Sequence, residues 1–367
     1  MRAPCADPNL ADPCSGVGVR KVSVLISGAS GFLGRHILGA LAANEPHVHP
    51  LALVRSRADW LAQDWVPLEA AAVDTIEGGV TGDDGWMDDA RLSGLQGIYH
   101  LAALVRHSRR DPKDLYDTNV DGTLRMVRLA AKYRCRMVFV STSGTVGVFR
   151  SPQGQADEDA PYCDPEVRRW PYYDSKVQAE RKARALASEL GVELIIIRPP
   201  ILLGPGDHRF RSTGHIVRWL AGRLPFLIDG GMHFVDIRDA AAAMVAAMAH
   251  PAARPIYHLP GTACSIDAFF QMCQEVSGVA APTRHLPFRV AWSLAQASER
   301  AADLLGHDKP VLPDPVVLEM ARRWWGLKSR HAAQELGFSP RAPRQTLLDT
   351  IDWLRENHPG LRRKRPA

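Results

Sequence analysis

The strongest constraint on this chain is a short run, Val22-Ser23-Val24-Leu25-Ile26, that ends in Gly28-Ala29-Ser30-Gly31-Phe32-Leu33-Gly34. Helical spacing follows at once, from 34 to 43. A continuous apolar run suits a strand buried on both faces, as in a parallel sheet. Further runs of this kind are Leu51-Ala52-Leu53-Val54, Gly97-Ile98-Tyr99-His100-Leu101, Met137-Val138-Phe139-Val140 and Leu194-Ile195-Ile196-Ile197. Helical stretches such as 123–133 lie between them. This alternation predicts an α/β fold, a doubly wound parallel sheet with right-handed crossovers.

After Arg198 the rhythm changes. Pro199, Pro200, Pro205 and Pro225 punctuate a looser region up to Gly231. An alanine-rich helix from Asp239 and a short strand near Ile256 return the chain to the main sheet, and the pattern from Ser265 onward is helical. The expected organisation is a disordered leader at 1–19 and a dinucleotide-binding unit of Rossmann type at 20–200 plus 234–261. A smaller, mostly helical substrate lobe follows at 201–233 plus 262–357, with a basic tail at 358–367.

The chain has 367 residues, enough for a core unit and a companion lobe. Its net charge of +5 is spread along the chain, which gives no case for nucleic acid. The local run Arg362-Arg363-Lys364-Arg365 reads as a solvated tail, with contact to an anionic surface as the alternative. No apolar run reaches the ~18–20 residues of a membrane span. Asp7, Asp12 and three prolines precede any hydrophobic stretch, unlike a secretory signal. The six cysteines form no CxxC pair and no zinc spacing, so reduced thiols in a cytoplasmic protein without metal are expected.

In the GxxGxxG turn, glycines let the backbone approach a diphosphate and the helix start offers free N–H groups to the anion. The second strand ends in Leu53-Val54-Arg55-Ser56-Arg57. An acid there would take the ribose hydroxyls of NAD, whereas a guanidinium suits the 2′-phosphate of NADP. NADP(H) is favoured and NAD(H) stays open, as does Arg55 lying over the adenine or in solvent.

Tyr172-Tyr173-Asp174-Ser175-Lys176 opens a helical stretch, so Tyr172 and Lys176, four apart, share a face. A nearby ammonium is expected to lower the phenol from ~10 and make it a proton donor or acceptor. Ser141-Thr142-Ser143 follows the strand at 137–140, where such sheets hold their ligands. One of these hydroxyls can steady a developing alkoxide; spacing alone does not say which.

These residues resemble the extended short-chain dehydrogenase/reductase family, within the epimerase/dehydratase superfamily, across roughly residues 20–357. The similar segments are Gly28–Gly34, His100-Leu101-Ala102-Ala103, Asn119-Val120-Asp121-Gly122-Thr123, 141–145, Tyr172/Lys176, Arg198-Pro199 with Gly204-Pro205-Gly206-Asp207, Phe234-Val235-Asp236-Ile237-Arg238-Asp239 and 333–340. The resemblance implies Ser143 as the catalytic serine, Tyr172 as acid/base and Lys176 as its partner. It implies cofactor contacts from Gly28, Ser30, Gly31, Phe32, Leu33, Gly34, Arg55, Val80, Leu101, Ala102, Ala103, Asn119, Lys176 and Pro199. Gly79 stands where the family often has an adenine-binding acid, leaving the backbone of Val80 for that contact. The family's 4,6-dehydratases carry Asp-Glu where this chain has Ser143-Gly144. Ile201 and Met232-His233 replace polar residues typical of nucleotide-sugar epimerases. What remains looks like the branch of dihydroflavonol reductases, 3β-hydroxysteroid dehydrogenases and 3-keto-acid reductases.

The resemblance implies an oxidoreductase acting on a ketone or secondary alcohol of a largely apolar small molecule. Phe149, Trp170, Ile201, Leu202, Phe210 and Trp219 are expected to line the pocket, with Arg106, His107, Arg209 and Arg211 at its border for an anionic end. The rivals are a nucleotide-sugar epimerase using bound NAD(P) and a non-catalytic NADP sensor. The stretch at 287–306, with Phe288, Val290, Trp292, Leu294 and Leu304, reads as packing against the lobe; a lid or membrane-surface contact is the sharper alternative. A monomer or homodimer is expected.

Overall fold

The computed structural model describes residues 22–63, 73–305 and 312–361. The leader at 1–19, with two of the six cysteines, most of the basic tail and the last residue of the stretch at 287–306 lie outside the described residues. Strands β1 (Val22–Ser27), β2 (Val48–Val54), β3 (Asp74–Glu77), β4 (Leu95–His100) and β5 (Arg136–Val140) belong to the main sheet. The strand β6 (Val148–Phe149) lies outside it, and β7 (Leu194–Arg198) rejoins it. With β10 (Ile256–His258), seven parallel strands run in the order β10-β7-β5-β4-β1-β2-β3. This is the order of a doubly wound Rossmann sheet, reversing direction between β1 and β4.

Helices cover both faces. On one, Ile37, Leu38 and Leu41 of α1 (Phe32–Asn44) pack in a core with Ala240, Ala241 and Met244 of the helix Ile237–Ala249. On the other, Met126, Val127, Leu129 and Ala130 of α2 (Gly122–Tyr133) meet Ala179, Ala183 and Ala187 of α3 (Pro171–Leu190). Small residues four apart let α3 lie close to the sheet. Burying each Ile or Leu side chain contributes about 2 kcal/mol. Gly191, at φ +67°, closes α3 in the left-handed region.

The lobe is built on a second sheet. Here β8 (Ile201–Leu203) pairs in parallel with β9 (Gly231–Asp236), and β11 (Thr262–Ser265) pairs antiparallel on the other side. Pairing keeps the chain in this small sheet through Asp236, and β10 then joins the main sheet beside β7. The helix Ile237–Ala249 is α4. Its successors α5 (Ile266–Ser277), α6 (Phe288–Leu304), α7 (Pro315–Ala321) and α8 (Pro343–Asn357) surround the lobe core of Phe234, Phe269, Phe270, Leu347 and Ile351. Finally β12 (Trp324–Trp325) pairs antiparallel with β6. Among the described residues, no helix is long and apolar enough to cross a membrane.

Candidate active site

The glycine turn is built as the sequence required. Gly28 has φ +74°, and a Cβ there would stand 2.8 Å from the Ala102 nitrogen. A Cβ at Gly34 would stand 2.4 Å from the Gly28 carbonyl oxygen. Helix α1 begins after Gly31 with no side-chain cap and no acid in its first turn. The residues therefore fit a dinucleotide, because its diphosphate can take N–H groups that the protein leaves uncapped. Ser30, Phe32 and Leu33 are half-buried around this turn, and Phe32 meets His36 edge-on with ring centroids 5.6 Å apart.

A hydrogen-bonded frame links this turn to α3. The Leu101 amide donates to the Ser27 carbonyl at 3.2 Å and the Ala102 amide to Ser27 Oγ at 3.3 Å. Ser27 Oγ lies 2.8 Å from His100 Nδ1, and His100 Nε2 lies 3.0 Å from Thr123 Oγ1. Thr123 donates to the Asn119 carbonyl at 2.6 Å, so Nε2 is the ring nitrogen that carries the proton and Nδ1 accepts from Ser27. Burial and the nearby Lys176 ammonium pull His100 down to about 3, which keeps it neutral. Asn119 donates to the Leu104 carbonyl and to Ser175 Oγ, both at 3.0 Å, and accepts from the Leu104 amide at 2.8 Å. Ser175 donates in turn to the Tyr172 carbonyl at 2.7 Å. Asn119 is fully buried with its amide taken up by protein, so it holds the frame. The π-helical turn Asp117–Asp121 is what swings it into that position.

Lys176 is buried, donates to the Val140 carbonyl at 2.9 Å, and has its Nζ 5.0 Å from the centroid of the Phe139 ring. Burial pulls its ammonium down to about 8, against the attraction of Glu180. Glu180, one turn further along α3, receives a hydrogen bond from Ser141 Oγ and three from Arg198, the shortest at 2.6 Å. The structure thereby separates the three hydroxyls. Ser141 serves Glu180, Thr142 Oγ1 accepts from the Gly144 amide, and the Ser143 hydroxyl has no hydrogen-bond partner among the described residues. Ser143 is positioned by its own amide, which donates to the Pro199 carbonyl at 2.8 Å.

Tyr172 meets His107 edge-on at 5.3 Å between centroids and Tyr173 at 5.1 Å. Burial pushes its phenol up to about 12. This corrects the expected lowering by Lys176. Desolvation governs the phenol, while the ammonium is held by the Val140 carbonyl. Tyr173 lies against Gly144, where a Cβ would come within 2.1 Å of its ring, so no side chain fits there.

Other expectations change. Trp170 and Trp219 are core residues whose ring N–H groups donate to Glu319 and to the Ala280 carbonyl. Phe210 packs on Trp353 and His358, and Arg106 is paired with Asp114. Val80 is buried, with its side chain against Gly122. Leu101, Ala102 and Ala103 form a half-buried segment behind Gly28, and Pro199 is buried. Arg55 is exposed at the end of β2. A carboxylate does reach that edge. The parallel register sets Glu77 beside Val54, and Glu77 accepts the Arg57 amide at 2.6 Å.

Comparison with known proteins agrees with this architecture. Sterol demethylase protein B of Methylococcus capsulatus is 28% identical over 91% of this chain and 99% of its own length. Cinnamoyl-CoA reductase 1 of Oryza sativa is 30% identical over 70% of this chain and 76% of its own. The crystal structure of gox2253 superposes with a TM-score of 0.74 at 26% identity, covering 92% of this chain and 99% of that one. DesIV, a dTDP-glucose 4,6-dehydratase from Streptomyces venezuelae solved with NAD, shares the fold at a TM-score of 0.69 and 23% identity, over 92% and 98%. Residues 24–259 match the NAD dependent epimerase/dehydratase family, and the chain belongs to that family.

Proposed function

We propose that this protein is an NADP(H)-dependent oxidoreductase that interconverts a ketone and a secondary alcohol on a largely apolar small molecule. The observation that carries this reading is the arrangement at the carboxyl end of β5. Lys176 is hooked to Val140, Tyr172 stands one helical turn away, and Ser143 keeps an uncommitted hydroxyl. When bound, the nicotinamide supplies or accepts the hydride. Ser143 donates to the substrate oxygen and Tyr172 passes the proton, while Lys176 holds the ribose side of the site. Burial keeps the phenol protonated at neutral pH, so Tyr172 starts as the group that holds the proton. The elimination of a 4,6-dehydratase is disfavoured, because Tyr173 occupies the space a Glu at 144 needs. Several relatives point the same way: sterol demethylase protein B, a dihydroflavonol 4-reductase and a farnesyl-quinoline oxide ketoreductase bear names tied to apolar ring compounds.

The preference for NADP(H) is supported by two guanidiniums. Burial, then the charges of Arg55 and Arg211, hold Arg209, on the loop after β8, below its usual value. That loop is held over the first turn of α1, where Arg35 contacts the Gly206 carbonyl and lies 2.9 Å from His208 Nδ1, and His36 Nε2 lies 2.9 Å from the Pro205 carbonyl. A dianionic phosphate relieves the repulsion between Arg55 and Arg209.

The test is a screen of sterols, 3-keto acids and flavonoid-like ketones with both cofactors, read at 340 nm. Stoichiometric NADPH consumption upholds the reading. Isomerisation without net absorbance change, with cofactor retained through purification, identifies an epimerase instead. A more than tenfold preference for NAD(H) overturns the cofactor assignment.

A further inference from the structure

A second polar site lies outside the dinucleotide cleft, beyond the start of α3. A cavity of about 460 Å³ opens between Arg169 and helices α6 and α7, lined by Phe288, Trp292, Arg322 and Arg323. A smaller one of about 300 Å³ adjoins it, sharing both of these arginines and adding Arg150. Arg289 stands at the rim of the first.

The charge here is unbalanced. Among the described residues, no carboxylate lies within ion-pair distance of Arg150, Arg289, Arg322 or Arg323. The lining holds one acid, Glu319, and it is already engaged. It accepts from Arg109 at 2.7 Å, from the Trp170 ring N–H at 3.0 Å and from that of Trp292 at 3.3 Å, and Arg169 lies 3.5 Å away. Arg323 Nε is buried without a hydrogen-bond partner. Burial and the charges of Arg150 and Arg169 hold its guanidinium below the usual value, although Glu166 pulls the other way. A buried donor lacking an acceptor, as at Arg323 Nε, is unfavourable, and like charges gathered with no carboxylate in reach among the described residues attract an anion. Guanidinium forks match the oxygens of a phosphate in pairs. Arg322 also lies over the Phe288 ring at 4.7 Å, a cation–π contact that ties the charge to the apolar part of the lining. The cavity has the volume of a small-molecule site.

We propose that this groove binds an organic phosphate, with the phosphate on Arg322, Arg323 and Arg150 and the organic part against Phe288 and Trp292. The site is independent of the redox reading, since neither Tyr172 nor the glycine turn contributes to it.

The experiment is calorimetry on the full chain with NADPH saturating, titrating phenyl phosphate and, separately, inorganic phosphate. Both should bind, phenyl phosphate more tightly. Arg322→Ala/Arg323→Ala should weaken both at least tenfold while leaving the NADPH affinity unchanged. Trp292→Ala should weaken phenyl phosphate and spare inorganic phosphate. Should the double alanine variant fail to fold, Arg150→Ala carries the test, and Arg322→Lys/Arg323→Lys should retain part of the affinity. Competition between phenyl phosphate and a reducible ketone assigns the phosphate to the substrate itself. Binding that leaves the KM of that ketone unchanged assigns it to a separate ligand; either upholds the site. No binding by the wild type at millimolar probe, equal binding by the variants, or displacement of the probe by NADPH overturns the proposal.

Discussion

The two approaches to α3 have opposite polar surroundings. Along its inner face, Lys176 and Glu180 are buried and each has its partners: Val140 for one, Ser141 and Arg198 for the other. Just before its first turn, Arg169 lines a groove where, among the described residues, Arg150, Arg289, Arg322 and Arg323 have no carboxylate within ion-pair distance. Both regions concentrate charge, yet only the first is buried and closed within the protein; in the groove Arg150, Arg289 and Arg322 are exposed and Arg323 alone is partly buried. A satisfied buried network builds a frame, and an unsatisfied one is a surface awaiting something else.

The sharpest way to break this comparison is at the reactive group, which the frame serves but does not bind. Tyr172→Phe keeps the ring packing against His107 and Tyr173 and removes only the hydroxyl. Turnover should fall by about 10²–10⁴, the usual worth of a positioned proton donor, with an unchanged melting temperature. Retained activity in steady-state assays removes Tyr172 from the chemistry.

The frame itself should fail through stability. Glu180→Leu leaves Arg198 charged and buried, at 2% exposure, facing an apolar side chain and a neutral His258. A loss of about 3–5 kcal/mol is expected in denaturant unfolding. A loss below about 1 kcal/mol means that water reaches the pair and that it is no frame.

Lys176 gives this contrast a pH signature. Burial lowers its folded-state value from 10.5 to about 8, so between these limits the unfolded chain holds a proton that the folded chain has released. Stability therefore rises with pH across that window, by at most about 3 kcal/mol. Tyr172, raised from 10 to about 12, acts in the opposite direction above pH 10. Unfolding of wild type and Lys176→Met between pH 8 and 10 separates the two, because both proteins keep Tyr172. The wild type should gain on the variant as pH rises; a constant gap contradicts the burial of the ammonium.

Much of the frame could be read in the sequence and much could not, for physical reasons. Strands β1, β4, β5 and β7 are buried along most of their length and so leave short, mainly apolar runs. The edge strand β3 has the four residues Asp74–Glu77, only two of them buried, and leaves no such trace. The pairing of β6 with β12 joins two-residue strands far apart in the chain, beyond any local pattern. Tyr172 and Lys176 were visible through their spacing, and the same spacing marks Glu180, which was passed over. Spacing alone did not separate Ser141 from Ser143; the resemblance implied Ser143, and the capture of Ser141 by Glu180 left no local sign in the sequence. Arg55 was plain at the end of β2, but Glu77 came to its side through strand register alone.

That register yields a milder test on the cofactor side. Arg55→Ala should weaken NADPH about tenfold and leave NADH nearly unchanged, since one charge-assisted contact is worth on the order of 1–2 kcal/mol. Glu77→Gln, which keeps an acceptor for the Arg57 amide, should move the ratio slightly toward NADPH by removing a negative charge beside the phosphate. Equal losses for both cofactors in Arg55→Ala would place that side chain over the adenine.

The smallest effect belongs to the groove and runs against the usual direction. Replacing a partly buried residue ordinarily destabilises by about 1 kcal/mol. Arg323→Leu removes a buried, unpartnered Nε and one charge repelled by Arg150 and Arg169, while its stem contacts can be kept by the leucine. In buffer free of polyvalent anions its stability should match the wild type within about 0.5 kcal/mol or exceed it. Added inorganic phosphate should then raise the melting temperature of the wild type and move the variant less, because a ligand that binds only the folded state stabilises by mass action. A loss of several kcal/mol without phosphate would show that Arg323 is as firmly tied into the protein as Arg198, and the distinction between frame and open site would vanish.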